Sequence, residues 1–298
     1  MNAKPPGSFV IPNRVRLVPG NGGLTKVVVT TKASTAEIYL HGAHITHFQK
    51  NCEPPLVFMS PKSHFVAGEA IRGGVPICFP WFGSRAGGPS HGFARISEWG
   101  LAETSAAQDG AVRVRLRLPI APLKAEWQAL KTEFIVTVAD TLTMELIATN
   151  SSAGQTLEIE NCLHTYFQVG EIGAVSITGL QGASYLDEAG DGRGALKTDG
   201  EPVLRITRET NRLYQDTAGP VEIRDESLKR MIRVEKYNSH SSVIWNPWTT
   251  QKLPDDFDPA GHARMVCVEA GNIKRNKISL APGKSSALRV VLSSTPLK

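Results

Sequence analysis

Val112-Arg113-Val114-Arg115-Leu116-Arg117-Leu118 alternates apolar and basic residues without a break. A period of two places the apolar side chains on one face of a strand and the three arginines on the other. Such a strand is half-buried and antiparallel, with one wet face. The arginines have no pocket-like context, so they read as a solvated face.

Outward from this stretch the same grammar repeats. Lys131 to Val138 and Leu142 to Ala148 read as a hairpin across Ala139-Asp140-Thr141. Towards the N-terminus, Leu24 to Thr31, Ala36 to Leu40, a short run ending near Phe48, and Leu56 to Met59 read as strands. Towards the C-terminus the expected strands are Thr156 to Leu163, Ala174 to Thr178, Val203 to Ile206, Val221 to Arg224, Met231 to Val234, Ser242 to Trp245, Met265 to Glu269, Lys277 to Leu280 and Ala287 to Leu292. Branched residues dominate and turn residues separate the runs. Only Lys124 to Lys131 and a few residues within Gln251 to Ala263 have room for a helical turn. No strand–helix alternation appears, which excludes a TIM barrel and a Rossmann fold. The expectation is an all-β fold, a large antiparallel β-sandwich with few short helices. One domain is expected over residues 1–298, with 1–23 as an irregular N-terminal segment.

Composition narrows the function. The chain has 298 residues, 41% of them hydrophobic, enough for a sizeable core in one unit. No run of eighteen apolar residues exists, so no membrane span is expected, and the start lacks the apolar core of a secretory signal. Cys52, Cys78, Cys162 and Cys267 are scattered without a CxxC pair, which suggests reduced thiols in a cytoplasmic protein. The formal charge of +5 is mild and unclustered, so nucleic acid is not an expected partner.

Residues 71–99 read IRGGVPICFPWFGSRAGGPSHGFARISEW. Glycine and proline forbid a regular element here, yet the apolar content is too high for a solvent linker. A pocket wall is the natural role. Arg72 and Arg95 stand near its ends, and arginine is the usual side chain for planar anion recognition. The plainer alternative is two surface arginines paired with acids. His164, in NCLHTYF, has a side chain that can donate or accept a proton near neutrality. A satisfied core histidine is the competing reading. Glu269 follows Met265-Val266-Cys267-Val268, where a carboxylate is costly unless paired or beside a cavity, and burial would make it a stronger base. A strand-end ion pair is the alternative there. His41, His44 and His47 recur every three residues, but on a strand that spacing splits them between faces and no carboxylate pattern accompanies them. No metal is therefore expected. Trp245-Asn246-Pro247-Trp248 suits either a sugar platform or aromatic packing at a turn. Pro254 to Pro259 is acidic without a calcium-loop pattern and reads as a solvated turn.

Together these pieces resemble the hexose-6-phosphate mutarotases (glucose-6-phosphate 1-epimerases) of the galactose-mutarotase-like superfamily. The resemblance lies in IRGGVPICFPWFG, HGFARISEW, LHTYFQVGEI, VSITGLQGASYLD, WNPW and VCVEAGN, and runs from about Ala36 almost to the C-terminus. It implies a β-supersandwich and cofactor-free exchange of the α and β anomers of a hexose 6-phosphate. By motif position it makes His164 the acid and Glu269 the base. Arg72 and Arg95 would grip the phosphate or neighbouring oxygens, and His91 would line the site with Ser90, Asn211 and Trp245. Two positions depart from the pattern. Asn211 stands where relatives have aspartate, and Ser90 where some have glutamine. Both touch sugar preference and rate more than reaction class. A small-molecule hexose 6-phosphate is the one expected partner, and a monomer is the expected state.

Three other functions compete. A catalytically silent sugar-phosphate sensor on the same fold would not need His164 and Glu269. A glycoside hydrolase would need a second carboxylate as well placed as Glu269. A mutarotase for free aldoses would not need the two arginines.

Overall fold

The computed structural model describes residues 9–120 and 124–297. Every ladder between its strands is antiparallel, and short 3-10 turns are the helical content among the described residues. None of its helices is long and apolar enough to cross a membrane.

Two eight-stranded sheets form the sandwich. The first runs from Val175–Thr178 through Val221–Asp225, Arg230–Tyr237, Ser285–Pro296, Leu142–Asn150, Leu130–Val138 and Val112–Arg117 to Gly100–Ala106. The alternating stretch behaves as its pattern requires. Val112, Val114 and Leu116 are fully buried, while Arg115 and Arg117 face Glu103 and Glu133 on the outer side. The hairpin also holds, with Val138 opposite Leu142.

The second sheet carries the site. Its order is Ala195–Thr198, Ser184–Asp187, Thr210–Gln215, Ser241–Asn246, Met265–Asn272, Asn161–Leu163 and Ile77–Cys78, with Tyr166–Gln168 also paired to Met265–Asn272. All eight residues of Met265–Asn272 are buried. The reason is that both faces are covered. Val266, Val268 and Ala270 join the core between the sheets. Met265 and Cys267 join a second cluster with Phe58, Cys78, Cys162, Tyr166, Val243, Trp245 and Phe257. Glu269 shares the face of Met265 and Cys267, so the second cluster forms the floor around it.

Several sequence expectations need correction. The N-terminal segment is not wholly irregular, since Val15–Pro19 is a strand paired to Thr25–Thr30; residues 1–8 lie outside the described residues. Leu56 to Met59 is not a strand. It makes isolated bridges, Val57 to Phe167 and Met59 to Gly73, behind a Pro54-Pro55 pair that cannot donate to a ladder. Val203 to Ile206 likewise reduces to one bridge, Leu204 to Ile177. Thr156 to Leu163 divides at Glu160. Leu157–Ile159 pairs with Ile278–Leu280, whereas Asn161–Leu163 enters the site sheet. At the division, the Glu160 carboxylate accepts from the backbone N–H of Phe82 at 2.9 Å and of Lys274 at 2.6 Å. One side chain thus ties the arginine-bracketed loop to the turn after Met265–Asn272.

Candidate active site

The loop over residues 71–99 folds back on the sheet through Ile77–Cys78 and a 3-10 turn at Ala94–Ile96. Its glycines permit the close approach. Gly92 has φ of 74°, and a Cβ there would stand 2.0 Å from the Phe79 carbonyl oxygen. This brings His91 and Arg95 to the rim of a cavity of about 700 Å³. Arg72, Ser90, His91, Arg95, His164, Asn211, Trp245 and Glu269 all line it, so the eight residues expected from sequence come together.

His164 follows Asn161–Leu163, and its backbone N–H donates to the Pro76 carbonyl at 3.0 Å. Its ring is stacked on Tyr166, with centroids 4.8 Å apart, and meets Trp245 edge-on at 5.9 Å. Nε2 of His164 lies 3.2 Å from Oε1 of Glu269. The other carboxylate oxygen, Oε2, accepts from the Cys162 thiol at 3.4 Å. Burial dominates the electrostatics of the pair. It pushes the Glu269 carboxyl up to about 8, against the opposing pull of the Cys162 hydrogen bond and the Arg95 charge. Burial also drives the His164 imidazole well below its usual range, assisted by His91 and Arg95. Both charged forms are penalised, so near neutrality the two side chains hold one proton between them.

The rim is cationic, and its members differ. Nε of Arg72 donates to both carboxylate oxygens of Asp256, each at 3.0 Å. Its terminal amino groups make no hydrogen bond to protein among the described residues. Arg95 donates through one terminal nitrogen to the Ser90 carbonyl at 2.8 Å. Ser90 therefore serves Arg95 through its backbone carbonyl rather than its side chain. Arg95 acts on the charge of both His164 and Glu269, whereas Arg72 is among the causes of neither shift. His91 accepts from the Gly83 N–H at Nδ1, 3.3 Å away, so its neutral ring carries the proton on Nε2. Burial, with Arg95 and Lys274 nearby, lowers its pKa to about 3.

Three contributors were not anticipated. Asp256 was expected in a solvated turn but is buried against Arg72. Its signal was the adjacent Phe257, an aromatic inside an acidic run, which is itself buried. Gln251 accepts from the Trp245 indole N–H at 3.0 Å. Lys274 lines the cavity from a left-handed backbone position, φ of 56°, pinned by Glu160. The two tryptophans of WNPW separate: Trp245 lines this cavity, and Trp248 packs beside His262 at a neighbouring hollow. The repeated histidines do not converge. His41 pairs with the Glu69 carbonyl, His44 with the Gly73 carbonyl and His47 with the Thr35 hydroxyl.

The aldose 1-epimerase family profile matches residues 25–293, which contain the whole lining of this cavity. The chain belongs to the aldose 1-epimerase family. A Cenchrus ciliaris protein, provisionally named glucose-6-phosphate 1-epimerase, is 30% identical over 291 residues, covering 94% of this chain and 88% of the relative. An Escherichia coli K12 protein with the same provisional name is 33% identical over 252 residues, covering 83% and 82%. The crystal structure of a provisionally assigned mutarotase from Salmonella typhimurium superposes with a TM-score of 0.85 at 26% identity, over 97% of this chain and 96% of that one. Family membership places the chain among mutarotase-like epimerases. His164 and Glu269 are a pair of titratable side chains in contact on the lining of the cavity.

Proposed function

We propose that this chain interconverts the α and β anomers of a hexose 6-phosphate. The observation that carries the reading is the 3.2 Å contact between His164 and Glu269 at the floor of a cavity whose rim holds Arg72 and Arg95. Glu269 takes the proton of the anomeric hydroxyl, while His164 gives one to the ring oxygen. The C1–O5 bond breaks to leave the open-chain aldehyde. Rotation about C1–C2 presents the opposite carbonyl face, and closure reverses both transfers.

This assignment uses the ionic form of the pair, with His164 protonated and Glu269 ionised. Arg95 favours the ionised carboxylate. A bound phosphate dianion favours the protonated imidazole but opposes the ionised carboxylate 3.2 Å from it, so its main service is to position rather than to charge the pair. The same phosphate, held by arginine donors, positions C1 between the two groups. His91 offers its Nε2–H to a sugar hydroxyl, and Asn211 and Trp245 bound the sugar's remaining edge.

Anomer exchange followed by NMR on glucose 6-phosphate and on free glucose, side by side, tests the reading. Exchange on the phosphorylated sugar should exceed that on free glucose by orders of magnitude in kcat/KM. Equal efficiency on both would remove the anion grip, and no exchange on either would leave the sensor reading ahead.

A further inference from the structure

Glu269 is surrounded by sulfur. Cys162 donates to one of its oxygens, and Cys78 stands opposite Cys162 across the sheet. The thiol of Cys267 lies two residues before Glu269 on the same strand face. Its Sγ, a ring nitrogen of His164 and an oxygen of Glu269 all fall within 4.8 Å of one another. Each of these three side chains is buried.

One nitrogen, one sulfur and one oxygen donor from two chain segments make a set suited to a borderline-soft divalent cation. Zinc bonds at about 2.0 to 2.3 Å, so a tetrahedral site separates its ligand atoms by roughly 3.3 to 3.8 Å. The imidazole and carboxylate, 3.2 Å apart, already meet that spacing. The thiol must close by at most about 1.3 Å to reach its spacing of roughly 3.5 Å from the nitrogen and the oxygen. His164 and Glu269 line the cavity, which gives an ion its route to the three side chains.

We propose that Zn²⁺ binds this chain at His164, Cys267 and Glu269 as an inhibitor. The ion replaces the proton that His164 and Glu269 share, and the Cys267 thiol gives up its own proton to become a thiolate ligand. Binding therefore releases two protons to solvent. An imidazole lone pair and a carboxylate committed to the ion can neither donate to O5 nor accept from O1, so exchange stops. The inhibition, though not the binding, rests on the function proposed above.

The test uses the chelator-treated 298-residue chain carrying Cys52→Ser, because Cys52 is the exposed thiol. Co²⁺ is added as a spectroscopic stand-in, and Zn²⁺ is titrated by calorimetry and against anomer exchange. The expected result is one ion per chain, with a near-ultraviolet thiolate-to-cobalt absorption. Zn²⁺ should lower exchange at least tenfold, and chelator should restore it. Cys267→Ser should lose the absorption, weaken Zn²⁺ binding at least tenfold and, for whatever exchange the variant retains, raise the Zn²⁺ concentration that halves it at least tenfold. Cys267→Ala, checked by circular dichroism, replaces it should the serine variant misfold. An absent absorption, one unchanged in the Cys267 variants, or bound zinc that leaves exchange untouched would overturn the proposal. Protein that binds the ion as described but shows no exchange without metal would instead count against the proposed function.

Discussion

Asp256 receives two hydrogen bonds from a single nitrogen, Nε of Arg72, at 3.0 Å to each oxygen. The contact fixes the guanidinium by its inner edge, and the outer amino groups make no hydrogen bond to protein among the described residues. Asp256 also removes most of the net charge of Arg72, so two effects oppose each other. Loss of the carboxylate frees positive charge for an anion but also frees the side chain to wander. Asp256→Asn and Asp256→Ala separate them, because asparagine keeps an acceptor without the charge. If orientation dominates, Asp256→Ala raises KM for hexose 6-phosphate by about tenfold, while Asp256→Asn stays within about threefold. Steady-state exchange kinetics on both variants decide. Tighter binding in the alanine variant would show that charge outweighs orientation.

The two arginines should not behave alike. The phosphate is remote from C1, and a contact equal in ground and transition states appears in KM. In the proposed reading Arg72 acts on the phosphate alone, so Arg72→Ala should raise KM for the phosphorylated sugar at least tenfold, with a smaller loss in kcat from poorer positioning of C1, and leave free hexose nearly unchanged. Arg95 also bears on the charge of His164 and Glu269. Arg95→Ala should therefore lower kcat as well, by about tenfold, and should do so on free hexose too. Parallel kinetics on the two sugars test this. Identical profiles for the two variants would mean that Arg95 acts only as a second phosphate contact.

The alternation in Val112 to Leu118 was enough to identify a half-buried strand, because one period satisfied both packing and solvation. The same logic failed at Leu56 to Met59. Apolar content there reflects burial of Phe58 beside the site, and burial does not require a ladder. Thr156 to Leu163 reads as one strand in the sequence but divides in the fold. The break at Glu160 comes from long-range hydrogen bonds to Phe82 and Lys274, which lie 78 and 114 residues away. In the site, His164, Glu269 and the arginines were legible because charge in an apolar setting is expensive and so conspicuous. Asp256 was missed for the converse reason. In an acidic turn a carboxylate looks cheap, and only the fold shows that this one is buried.

The His164–Glu269 pair also fixes a pH profile. The proposed reaction needs one proton on the pair, and the resting pair holds one between its two titrations. Log kcat/KM should therefore be flat across neutral pH. It should fall above about 8, where Glu269 gives up the shared proton. It should fall again in acid, below the usual histidine range, where a second proton arrives. Profiles measured from pH 5 to 9.5 test this, and an activity that still climbs through pH 9 would show that the alkaline group is not part of the pair.

Burial of Glu269 should also be visible in stability. In the unfolded chain this carboxyl titrates near 4.5, and in the folded protein burial raises it to about 8. Between those values the native state keeps a proton that the unfolded state releases. Stability from this group is therefore complete below about 4.5 and declines as pH rises towards 8. His164 runs in the opposite direction, losing stability as pH falls below its unfolded value, but it is present in wild type and variant alike. Glu269→Gln removes the carboxyl titration and leaves a side chain of similar shape that needs no proton. The variant should match wild type at pH 5 and be the more stable at pH 9, by on the order of 1 to 3 kcal/mol. In melting curves that appears as a gap of a few degrees, opening as pH rises. Its exchange rate should nevertheless fall by about a hundredfold or more at every pH. A variant less stable than wild type at pH 9 would mean that the Glu269 carboxylate, once ionised, is held by partners stronger than the Cys162 thiol and the Arg95 charge.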